Sequence, residues 1–170
     1  MCASITLKQL QLDIDDAALR LVHLAAERGV TLSCAESLTA GMVSSNIAAV
    51  PGASAVLLGG AVTYTNQIKE RLLSVSEKTI QEVTEVSYEV AQQMASGACS
   101  LFGSDYAVSL TGYAGPGGGT GVNPVGTVYI GLCSFDVASS KRFVFSGDRQ
   151  EVRFQACLQA LRMLFDAISR

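Results

Sequence analysis

Tryptophan is absent from this chain, and histidine occurs once, as His23. A single histidine excludes His-rich metal centres. A Ser-His-Asp triad would have to recruit that one residue. His23 stands among Leu19, Val22, Leu24 and Ala26 in a segment of helical period, where a place on or beside the packed stripe is the plainer reading. A hydrolase built on this chain therefore takes its base from another residue type. Basic residues are also few: 12 Lys and Arg against 15 Asp and Glu give a net charge of −3 and a pI near 5.1. That balance argues against a nucleic-acid partner, while a local arginine leaves a small anionic substrate open. No segment approaches the roughly 18 uninterrupted apolar residues of a membrane span. The opening MCASITLKQLQLDIDD has no continuous apolar stretch and no cleavage-site pattern. The expectation is a soluble, cytoplasmic protein with no membrane partner. The five cysteines, Cys2, Cys34, Cys99, Cys133 and Cys157, are odd in number, scattered and never in a CxxC pair. They read as reduced thiols, mostly small core residues, and supply no zinc site. No metal or cofactor is expected.

What is present is a well-patterned globular chain. At 170 residues, 49% hydrophobic and 16% charged, it suits one domain spanning 1–170 with a full core. Asp13 to Arg28 has helical period, and Gly29 is placed to cap its end. Val30–Cys34 is a strand candidate. Ser33 and Glu36 have capping-box spacing, which starts a helix from Ser37 to Val50, stopped by Pro51-Gly52. Ala53–Tyr64 reads as a strand bent at Gly59-Gly60. Helices follow over Asn66–Leu73, Glu77–Glu82 and Ser87–Phe102, then a buried-type strand over Tyr106–Leu110. Val125–Ser134 and Lys141–Phe145 read as a hairpin across Phe135–Ser140. Gly147-Asp148-Arg149 opens a last helix to about Ile168. The alternation implies an α/β fold: a three-layer α/β/α single domain around a mixed β-sheet.

Three stretches carry residues able to do chemistry. In Cys34–Gly41, a serine after a strand and in the first turn of a helix lies near unpaired N–H groups that stabilise an oxyanion. On spacing alone a capping serine is the commoner case. In Thr63–Lys69 a tyrosine ends a strand and a lysine follows in the next helix. Lysine serves as a general base only when desolvation or a nearby cation lowers its pKa from about 10.4. A solvated surface lysine is the more frequent state. The loop from Thr111 to Thr120 is glycine-dense, and its backbone N–H groups suit an anion. It is neither a Walker loop nor a dinucleotide fingerprint, and glycine content alone fits a structural turn as well. Arg149 and Arg153 begin the final helix, where an anionic ligand or an acidic neighbour such as Asp148 or Glu151 fits equally.

Taken in order, AESLTAG, VPGASAVLLGGAVTYTNQIKERLLSV, VSYEVAQQMASGA, SLTGYAGPGGGTGVNPVGTVYIGL and FSGDRQEVR resemble the CinA C-terminal domain family, the stand-alone nicotinamide-nucleotide amidases. The resemblance runs from Thr31 onward. It implies hydrolysis of the carboxamide of nicotinamide mononucleotide to nicotinic acid mononucleotide and ammonia, without metal. It implies Ser37 as nucleophile, Lys69 as its base and Tyr64 beside them. It also implies Glu36, Thr39, Thr111, Gly112, Gly117, Gly118 and Arg149 around the substrate, with Arg149 the natural partner of the phosphate. The family also occurs fused to an N-terminal domain associated with competence and damage response, from which no pyrophosphatase activity is carried over. This chain departs from the usual pattern at Ala40, where glycine is common and where a methyl near Ser37 would narrow the approach. It departs again at Tyr113, where a smaller aliphatic residue is common and where a ring can stack on a pyridine. Glu82–Val86 replaces a stretch that often holds His-Gly. A catalytically weak or inactive paralogue that binds a nucleotide, or serves as an interaction protein, is the alternative reading. Self-association as a homo-oligomer, a dimer before a monomer, is expected from the mean hydropathy of +0.34.

Overall fold

A computed structural model describes residues 6–135 and 137–170; Cys2 lies outside them. The chain runs α1 (Leu7–Arg28), β1 (Leu32–Glu36), α2 (Met42–Ala48), β2 (Leu57–Val62), α3 (Asn66–Leu73), α4 (Glu77–Val83), α5 (Tyr88–Phe102), β3 (Tyr106–Gly112), β4 (Thr127–Ser134), β5 (Val137–Val144) and α6 (Arg149–Ile168). Five strands form one mixed sheet in the order β2-β1-β3-β4-β5. β1 pairs parallel to both β2 and β3, while β4 and β5 are antiparallel. Helices α1, α2 and α6 cover one face around Ile14, Leu21, Ile47, Leu161 and Leu164. Helices α3 and α5 cover the other around Leu73, Val90, Met94 and Ala98. This is the expected three-layer α/β fold. Central strands β1 and β3 are buried on both faces, as parallel strands between helical layers must be.

Several element boundaries differ from the sequence expectation. α1 starts at Leu7, capped by Thr6, because Leu10 already packs in the core. Its end is as expected, with Gly29 at φ +63 closing the helix. His23 projects from the exposed side of α1, beside buried Val22. Ser33 caps nothing: it lies inside β1, where its Oγ sits 2.7 Å from that of Ser104. Residues 53–55 form a 3-10 turn instead of the start of β2. β5 begins at Val137, earlier than expected, because its Ser139 and Ser140 hide the apolar alternation that marks a strand. Cys34, Cys133 and Cys157 are buried thiols.

Candidate active site

The three parallel strands are adjacent, so their C-terminal ends share one edge of the sheet, the usual place for ligands in α/β folds. Ser37 follows β1, Thr63 and Tyr64 follow β2, and Thr111 and Gly112 end β3. The Thr63 N–H donates to the Glu36 carbonyl at 2.8 Å and the Ser37 N–H to the Leu110 carbonyl at 3.0 Å, locking the three ends together. Between them lies a cavity of about 170 Å³ lined by Ser37, Leu38, Tyr64, Lys69, Glu85, Val86, Thr111, Gly112, Tyr113, Ala114 and Arg149. A larger groove of about 590 Å³ between α3 and α5 is lined by Leu, Gln, Ser, Gly and Ala. It has no ionisable group to do chemistry.

Lys69 carries the electrostatic character of the cavity. It sits in α3, whose helix is capped by Thr65, and is only 1% exposed. Its amine donates to the Thr63 carbonyl at 3.0 Å and reaches the Ser37 Oγ at 3.4 Å. Burial lowers its pKa from the ordinary value, and the carboxylate of Glu85 pulls in the opposite direction. A buried lysine with a depressed pKa beside a serine hydroxyl has the chemistry to accept that hydroxyl's proton. The 3.4 Å separation is long for a hydrogen bond.

The turn that carries Ser37 is built differently from the sequence expectation. Ser37 is not in the first turn of a helix, because α2 begins only at Met42. The N–H groups at its start are taken by Glu36. Its buried carboxylate accepts from the N–H of Gly41 at 3.0 Å, Val43 at 3.1 Å and Ser44 at 2.9 Å, and from the Ser44 Oγ at 2.8 Å. Glu36 therefore points into the fold, away from the cavity it was expected to line, and positions the turn instead. Glu36→Ala would orphan those donors, and we expect a loss of about 3 kcal/mol, read as a Tm lower by roughly 6–12 °C. A Tm within 2 °C of wild type would remove this role. Burial, then the same carboxylate, pushes the Cys34 thiol up, so Cys34 is an inert core residue.

Arg153, one turn into α6, completes the cradle. Its Nε donates to the Leu38 carbonyl at 2.8 Å and its Nη2 to the Thr39 carbonyl at 2.9 Å. Thr39, expected around the substrate, is fully buried, with an Oγ1 that has no partner among the described residues, and it does not line the cavity. Ala40 is exposed and away from the cavity, so its methyl does not narrow the approach to Ser37. Its cost is conformational, since it holds φ +52. The left-handed region costs a non-glycine residue about 1–2 kcal/mol, while glycine loses about 0.4–1 kcal/mol through the unfolded chain. Ala40→Gly is accordingly expected to raise Tm by about 1–3 °C in a melting curve.

Arg149 stands at the mouth. Asp148 and Glu151 are engaged with each other as a capping box, so neither pairs with it. Its guanidinium donates to the Gly115 carbonyl at 2.9 Å and to the Tyr64 hydroxyl at 3.0 Å. A guanidinium has five donors, more than these two bonds use. Gly117 and Gly118, expected at the substrate, are exposed and outside the cavity. Gly118 serves it indirectly: a Cβ there would stand 3.1 Å from the Tyr113 ring, so its absence lets the ring lie against the loop. Sequence reasoning passed over Glu85 as a cavity residue, and it expected Arg153 to meet an anionic ligand or an acidic neighbour, whereas Arg153 donates to two carbonyls of the Ser37 turn. A lone acid in a polar segment and an arginine bonded to distant carbonyls leave no local pattern. Among the described residues no cluster of His, Cys, Asp and Glu could hold a metal ion, and no helix is long and apolar enough to cross a membrane.

Known proteins resemble this chain in sequence and in fold. A CinA-like protein of Geobacter sp. strain M21 is 49% identical over 152 residues, which cover 89% of this chain and 36% of that protein. A CinA-like protein of Thermotoga maritima is 43% identical over 144 residues, covering 85% of this chain and 35% of that protein. The chain thus spans about a third of the length of these curated relatives. The crystal structure of a competence/damage inducible protein from Agrobacterium tumefaciens superposes with a TM-score of 0.89 at 34% identity, covering 93% of this chain and 96% of that one. A CinA superfamily protein from Escherichia coli gives 0.88 at 31% identity, covering 92% and 91%. The model of the CinA C-terminal domain matches residues 14–168, and the chain belongs to that family.

Proposed function

We propose that this protein hydrolyses the carboxamide of nicotinamide mononucleotide to nicotinic acid mononucleotide and ammonia, with Ser37 as nucleophile and Lys69 as its base. The observation that carries this reading is the buried amine of Lys69 reaching the Ser37 Oγ at 3.4 Å on the floor of a cavity. Neutral Lys69 takes the hydroxyl proton as Oγ attacks the amide carbon. The resulting ammonium gives that proton to the nitrogen as the C–N bond breaks and ammonia leaves. Water then attacks the Ser37 ester, Lys69 again accepting a proton, and the carboxylate departs with Ser37 restored. The cavity has room for an aromatic amide ring, with ribose and phosphate extending outward toward Arg149. Tyr64, 56% exposed and bonded to Arg149, frames the same mouth.

The test is ammonia release across nicotinamide mononucleotide, nicotinamide riboside and free nicotinamide. Release from the mononucleotide, falling off as the phosphate and ribose are removed, is the expected order. Calorimetric binding of the mononucleotide without ammonia would overturn hydrolysis and leave a nucleotide-binding protein. The same reading places the protein in the cytoplasm as a homo-oligomer, a dimer before a monomer. A monomer in light scattering at micromolar concentration would contradict the assembly.

A further inference from the structure

The cavity contains one carboxylate, Glu85, and one aromatic ring deeper than Tyr64, that of half-buried Tyr113. The backbone that carries each of them is held in place. The Thr111 Oγ1 donates to the Glu85 carbonyl at 2.6 Å, and the Asn123 Nδ2 to the Val86 carbonyl at 3.2 Å. Tyr113 exchanges backbone bonds with Thr127 at 2.9 Å and Gly126 at 2.7 Å, and its ring rests against Gly118. A carboxylate that faces a cavity is attracted to a cation placed beside it. Protonated Lys69 is one, yet Lys69 must be neutral to act as a base. Glu85 then faces a cavity whose floor has lost its positive charge.

We infer that Glu85 and Tyr113 form a subsite for the positively charged ring of an N1-substituted pyridinium carboxamide, selecting cationic rings over neutral ones. This rests on the amidase reading for the ligand's chemical class. The ring brings its charge to the carboxylate and offers it to the face of Tyr113, a favourable cation–π pairing. Burial and then the Glu85 charge push the Tyr113 phenol up, so Tyr113 stays neutral and adds no competing charge. Arg149 at the mouth supplies the opposite sign. The order of charges, negative inside and positive outside, complements a zwitterion with a cationic ring and an anionic tail. A cation beside Lys69 also disfavours a proton there, so such a substrate helps to generate the base that attacks it.

Turnover is a poor readout, because reducing the ring also deactivates its amide. Binding is cleaner. Calorimetry on Ser37→Ala, which holds substrate without turnover, should be run with nicotinamide mononucleotide and with its dihydropyridine form, whose ring is neutral. We expect the cationic form to bind about tenfold more tightly. Adding Glu85→Gln should bring the two affinities within about twofold by weakening only the cationic form, with circular dichroism confirming the fold. Tyr113→Leu should erode the preference in part. Equal affinities in the Ser37→Ala protein, no binding of either form, or a preference untouched by Glu85→Gln would each overturn the subsite. Loss of the amidase reading is told apart from this: a discriminating but non-hydrolysing wild type sinks catalysis and keeps the subsite. Hydrolysis with equal binding does the reverse.

Discussion

Ser37→Ala should lower ammonia release from nicotinamide mononucleotide by about a thousandfold or more in kcat, while Tm falls by no more than about 4 °C. The rate effect is large because the other hydroxyls lining the cavity are a Thr111 Oγ1 already donating to the Glu85 carbonyl and the phenols of Tyr64 and Tyr113. The buried cysteines cannot stand in: Cys34 is pushed toward its protonated form and does not line the cavity. The stability effect is small because the Ser37 Oγ has one contact, with the Lys69 amine, and a typical hydrogen bond contributes about 1 kcal/mol. The Ser37 N–H keeps its bond to the Leu110 carbonyl in the variant. A covalent route has a second signature. Hydroxylamine added during turnover should intercept the Ser37 ester and yield the hydroxamate of the substrate acid. Wild-type rates in Ser37→Ala would reassign the attack to water, and absence of hydroxamate with full activity would count against the ester.

The fold was legible wherever the signal was local. Asp148 before an apolar helical stripe marks the start of α6, and Gly29 marks the end of α1, since each acts through its own neighbours in sequence. The start of α2 was not legible. Its N–H groups are satisfied by a carboxylate at the end of β1, so no Ser or Asp stands at the helix boundary, where Gly41 sits instead. The site divides in the same way. Ser37, Tyr64, Lys69, Thr111, Gly112 and Arg149 were named from family motifs and line one cavity, because those motifs sit at the ends of three adjacent strands and the start of α6. Glu36 and Thr39 belong to the same motif but face inward. A motif records which residues travel together, while burial decides which of them meet a ligand. Glu85 had neither motif nor period and emerges only when β3 and the segment before α5 are brought together by the Thr111 bond to its carbonyl.

Lys69→Met should match Ser37→Ala in lost activity, about a thousandfold or more, yet differ from it in stability. The amine is almost wholly buried, and burial lowers its pKa from a value near 10.5. The unfolded chain therefore binds the proton more tightly than the native one, and stability rises with pH wherever that holds. Below the native pKa of Lys69 the full cost of burying the charge applies, and it disappears as pH climbs toward 10.5. Methionine has similar length and no charge, so it removes that cost, although it leaves the Thr63 carbonyl without its donor. The Tm of Lys69→Met relative to wild type should thus be most favourable at neutral pH and should decline toward pH 10 as the wild type sheds its penalty. The pH profile of kcat/KM supplies the matching kinetic sign. Wild-type activity should rise through the native pKa of Lys69, below the limb of an unburied amine. Glu85→Gln removes the charge that opposes the shift, so its limb should move to lower pH. A Tm difference constant with pH, or a limb that Glu85→Gln moves upward, would mean that Lys69 is not the buried, proton-shedding base on which the serine depends.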